Sequence, residues 1–168
     1  MSDTARQKFL DMHNEYRSLV AKGQAKDKLG GNAPKAARMK KMVYDCGIEA
    51  TAMKPAKRCK FEHSPKEERS ELGENVYTIT ALNVDKTNVA EMASKKWFGE
   101  LETFGVGQKN YNTSTSHSLT DQKLKLATTH RGNMLNSYIY ETGNPCAKDT
   151  DCNCNCTCSK EEGLCIVQ

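Results

Sequence analysis

Six of the eight cysteines fall between Cys146 and Cys165, and the run Cys152-Asn153-Cys154-Asn155-Cys156-Thr157-Cys158 has cysteine at every second position. Alternate cysteines can converge on a soft metal. An even count in a polar, Gly- and Pro-marked tail reads first as a disulfide framework formed outside the cytosol. Spacing leaves the connectivity of Cys146, Cys152, Cys154, Cys156, Cys158 and Cys165 open. Such staples matter here because the core is thin: 37% of the 168 residues are hydrophobic and 7% aromatic. Sequons at Asn112 and Asn155 are candidate glycosylation sites and agree with an extracellular chain. Met1-Ser2-Asp3-Thr4 lacks the apolar stretch of a secretory leader. The expectation is a secreted protein whose leader has been removed, with Met1 an added residue.

The length suits one domain. A net charge of +4 gives weak grounds for a nucleic-acid partner. No apolar run approaches the about 20 residues that span a bilayer, so no transmembrane segment is expected. Phe9, His13, Tyr16, Leu19 and Val20 recur at helical spacing, predicting a helix from Thr4 to Lys22 with Thr4 and Gln7 as its capping box. A second helix is expected over Met39 to Cys59, weakened at Gly47 and kinked at Pro55. As one helix it would hold Cys46 and Cys59 roughly 20 Å apart. A disulfide needs Cα atoms within about 7 Å, so the two cannot pair unless Gly47 or Pro55 breaks the helix. Alternation over Glu74 to Leu82 predicts a strand, and Val89, Ala93, Trp97, Leu101 and Phe104 stripe a helix over Asp85 to Phe104. Residues 105–133 are polar, and a last strand is expected over Tyr138 to Glu141. This order suggests an α+β sandwich, a small sheet between helices.

Several segments together resemble the CAP superfamily (cysteine-rich secretory, antigen 5 and pathogenesis-related proteins), and among them the activation-associated secreted proteins of parasitic nematodes. They are His13-Asn14-x-x-Arg17, Cys59-x-Phe61-x-His63-Ser64, Gly73-Glu74-Asn75, Trp97-x-x-Glu100, Gly132-Asn133 and Tyr140-Glu141-x-Gly143-Asn144-Pro145-Cys146. The resemblance implies a CAP-type α-β-α sandwich over residues 1–142 and a cysteine-rich hinge over 143–168. Where the family carries a Gly-His-Tyr-Thr-Gln type motif and two central strands, this chain has Ser116-His117-Ser118-Leu119-Thr120 and a short run to Gly132. Part of the central region is therefore missing or rebuilt. In related proteins, cysteines placed like Cys46 and Cys59 bond to partners in that segment, so both are expected as unpaired thiols.

The resemblance also implies a cleft of two histidines and two glutamates. Carried over by motif, His63, Glu74 and Glu100 match, while His117 matches by position. Imidazole nitrogens and carboxylate oxygens suit Zn²⁺, the one cofactor expected. His13 and Arg17 are expected to dock the first helix through hydrogen bonds. No Gly-x-Ser-x-Gly or His-Glu-x-x-His pattern supplies a nucleophile or a metalloprotease helix. The reading is a secreted, non-enzymatic binding protein of a parasite that modulates host immune cells or platelets through a cell-surface receptor. It carries no Arg-Gly-Asp or Lys-Gly-Asp triplet for integrins. A lipid or sterol carrier is the alternative, and a zinc-dependent hydrolase ranks last.

Overall fold

Helix α1 (Asp3–Ala21) is anchored by polar side chains that face inward. In the computed structural model, which describes residues 1–70, 72–106, 111–112 and 137–168, Arg17 is only 2% exposed. Its Nε donates to Lys40 O at 2.7 Å. Asn14 grips Met42 from both sides, Nδ2 donating to its carbonyl at 3.1 Å and Oδ1 accepting from its amide at 2.7 Å. Ser18 Oγ donates to Glu162 O at 2.6 Å. The Arg17 and Asn14 bonds satisfy backbone groups of the extended stretch at Lys40 and Met42, and the Ser18 bond holds the C-terminal tail to the helix. The N-cap is Ser2, whose hydroxyl accepts from Ala5 N, in place of the expected Thr4. Gly23 turns the chain out of the helix at φ +68, where a Cβ would come within 2.7 Å of Lys35.

Helix α2 (Cys46–Ala56) starts seven residues later than the expected Met39. Residues 39–41 are recruited by the C-terminus: Cys165 N donates to Met39 O and Lys41 N to Cys165 O, both at 2.8 Å. Asp45 then caps the helix through Gly47 N and Ile48 N. Helix α3 (Lys86–Phe104), capped by Asp85, packs on α1. Its small buried residues Ala90, Ala93 and Ser94 allow close approach, and Phe98 stacks on Tyr16 with centroids 4.0 Å apart. The expected strand over Glu74 to Leu82 forms no ladder among the described residues.

Strands β1 (Tyr111–Asn112) and β2 (Ser137–Tyr138) pair antiparallel, as do β3 (Cys156–Ser159) and β4 (Leu164–Val167), so helices flank small antiparallel sheets in an α+β fold. The expected last strand is thus shifted, because Ile139 and Tyr140 leave the ladder and turn into the core beside Val20, Met39 and Leu101. Residues 143–168 also reach into the core. Leu164 is 0% exposed within that same core, and Glu162 reaches Lys41 Nζ at 2.7 Å.

Three disulfides hold the tail: Cys146–Cys158, Cys152–Cys165 and Cys154–Cys156. The sulfurs of Cys146, Cys152 and Cys165 lie within 4.8 Å of one another. All three are disulfide-bonded, so the group is a packed pair of bridges and offers no thiolates to a metal. Cys46 and Cys59 are free and exposed. Asn155 is exposed between the bonded Cys154 and Cys156, and of Asn112 only the backbone pairing is described. No described helix is long and apolar enough to cross a membrane.

Candidate functional site

The half-buried Glu74 carboxylate organises the site. Oε2 accepts from His63 Nδ1 at 2.9 Å and from Ser64 N at 2.9 Å, and lies 3.7 Å from Arg69 Nε. Oε1 accepts from Ser64 Oγ at 2.6 Å. Arg69 closes the turn behind it, donating to Ser64 O at 3.2 Å and Leu72 O at 3.1 Å. Burial pushes the Glu74 carboxyl up. The hydrogen bonds from Ser64 and His63 and the charge of Arg69 outweigh it, so its pKa lies below the ordinary carboxylate value.

An ionised carboxylate only accepts, so Nδ1 of His63 carries the ring proton. In the neutral ring this makes Nε2 the lone-pair nitrogen. That is the arrangement in which a carboxylate orients a metal-binding imidazole. Helix α3 meets the segment carrying Glu74 through Trp97. Trp97 donates from Nε1 to Val76 O at 3.2 Å, tying the Glu74-bearing segment to this helix, and Glu100 follows on the next turn. Its Oε2 is sealed from solvent. Imidazole nitrogen and carboxylate oxygen are donor types that suit Zn²⁺, but among the described residues His63, Glu74 and Glu100 do not bring three ligand atoms within 4.8 Å of one another.

The structure therefore joins His63 to Glu74 and sets Glu100 on the helix to which the Glu74 segment is tied. His117 and His130 lie outside the described residues. Sequence reasoning passes over Ser64 and Arg69 as site residues. The one available signal is that Ser64 directly follows His63 in the motif. His13 stays half-buried against Phe9 and Trp97, its Nδ1 2.7 Å from Phe9 O, so it belongs to the α1–α3 packing.

The family model of CAP, the cysteine-rich secretory protein family, matches residues 10–159. The chain is 40% identical over 192 aligned positions to the Ancylostoma secreted protein of Ancylostoma caninum, covering 98% of this chain and 45% of that protein. It thus spans less than half the length of that relative. The alignment exceeds the chain's 168 residues, so the relative carries additional residues within the matched stretch. Hookworm platelet inhibitor 1 of the same organism is 28% identical over 90% of this chain and 76% of its own length. The crystal structure of NaASP2 with Zn²⁺ superposes at a TM-score of 0.87, with 44% identity over 98% of this chain and 96% of that one. The chain belongs to the CAP family of cysteine-rich secretory proteins.

Proposed function

We propose that this protein is a secreted, non-catalytic binding protein that acts on host cells through surface contacts. Its similarity to a hookworm platelet inhibitor along nine-tenths of the chain carries this reading. The chemistry of the cleft supports it. Glu74 is held ionised by three hydrogen-bond donors and the nearby Arg69 charge, the state of an orienting group rather than of a base poised to take a proton. Labelled protein is expected to bind mammalian platelets or leukocytes saturably, with no change in His63→Ala. Absence of saturable binding to either cell type would overturn the reading.

Within the same reading, Zn²⁺ would be held by His63 and Glu100, with His117 as the further expected ligand and Glu74 orienting His63. Bound there, the ion would supply a fixed positive charge that ties the loop carrying His63 to α3. Calorimetry of thiol-blocked protein is expected to give about one equivalent of Zn²⁺. His63→Ala is expected to abolish it, and Glu74→Gln to weaken it by about 10- to 100-fold. Zn²⁺ affinity unchanged in His63→Ala would place the metal elsewhere.

A further inference from the structure

One short stretch of the chain carries four positive charges and no negative one. Residues 50–61 contain Lys54, Lys57, Arg58 and Lys60 and no acidic residue. All four are exposed. Lys54 lies in the last turn of α2, and the turns that follow keep the cluster compact. Lys57 N donates to Met53 O, Arg58 N to Pro55 O and Cys59 N to Ala56 O, at 3.0 to 3.2 Å. At φ +53, Cys59 then turns the chain. Lys54, Lys57 and Lys60 make no ion pair or side-chain hydrogen bond among the described residues, whereas Lys8, Lys26, Lys41 and Lys95 each pair with a glutamate.

Stability does not account for this cluster. Basic residues at a helix C-terminus complement its dipole, which covers Lys54 and Lys57 but not the charges beyond the cap. Like charges three residues apart repel instead. We propose that the Lys54–Lys60 segment is a binding surface for a linear sulfated polysaccharide of the heparan sulfate class. Short basic runs of this kind suit heparin-like chains. Lysine ammonium groups are rotatable point charges that meet sulfate oxygens without a fixed planar geometry. The one planar fork, on Arg58, is engaged by Glu68, which leaves little for reading base edges. Outside the cell, where this family acts, sulfated polysaccharide is a polyanion that such a cluster meets.

This inference deepens the surface-contact reading and rests on it for where the polysaccharide is met. Its test uses purified components, so the two fail separately. Calorimetry with a heparin oligosaccharide at about 0.15 M salt would compare thiol-blocked protein with Lys54→Gln/Lys57→Gln/Lys60→Gln. A second variant, Lys28→Gln/Lys96→Gln/Lys160→Gln, removes equal charge from other exposed positions. The first triple is expected to lose at least about tenfold in affinity and to lower the salt slope by about 2, while the second stays near the parent. Circular dichroism checks that both keep their fold. No binding by the parent, equal losses in both triples, or equal affinity for desulfated heparin, duplex DNA or anionic phosphatidylserine vesicles would each overturn the proposal. Loss of cell binding with heparin affinity intact would count against the cell-surface reading alone.

Discussion

Replacing Cys152 and Cys165 together by alanine is expected to lower the unfolding free energy by about 3 to 4 kcal/mol. The bridge spans 13 residues, which by loop-closure entropy alone corresponds to about 3 kcal/mol. The rest comes from Cys165 itself, 0% exposed, where the lost sulfur leaves a small cavity in the core. Its backbone also joins residues 39–41 to β4, so loosening it lets the extended stretch under α1 move. The comparison that makes this decisive is Cys154→Ala/Cys156→Ala. That bridge spans two residues, joining the exposed Cys154 to Cys156 at the start of β3, and the same reasoning allots it about half the effect. Urea unfolding at neutral pH measures both. Equal losses would mean that the tail is stapled as an independent unit, and that its contact with α1 contributes little.

That coupling of tail to core separates what was legible in the sequence from what was not. Helices α1 and α3 were legible because each repeats an apolar stripe over 19 residues. Asp85 was close to a boundary signal that the side-chain cap confirms. The start of α2 was not legible. Met39 and Met42 fit helical spacing, but long-range pairing with Cys165 and Asn14 claims their backbone groups, and no local pattern reports that partner. Arg17 was expected only to dock α1, since a charged residue gives no sign that it will be almost wholly buried. Its donor is needed by Lys40 O, which comes from the same recruited stretch. The site divides along the same line. Trp97 follows from helix periodicity, and the family motif adds Glu100 one turn on. His63 and Glu74 meet across loops with no period to read, so only the family motif pointed to them.

Acidification is expected to destabilise the fold well above the carboxylate range, through His13. Burial against Phe9 and Trp97 lowers its pKa from 6.5 to about 4; the bond to Phe9 O opposes that shift and the Arg17 charge adds to it. Above pH 6.5 the ring is neutral in both states and costs nothing. As pH falls from 6.5 towards 4, the unfolded chain binds a proton that the folded chain refuses, so stability falls with pH. The full loss is about 3 kcal/mol, of which about 2 is reached by pH 5. Glu49 contributes in a lower window. Its hydrogen bonds to Arg6 and the N-terminus hold its pKa near 2, so its share is lost between 4.5 and 2. Urea midpoints at pH 7 and pH 5 therefore isolate the histidine. In His13→Gln the difference between them should shrink by about 2 kcal/mol, whatever the variant's stability at pH 7. An undiminished difference would assign the loss to other groups and require that His13 be open to water in the folded protein.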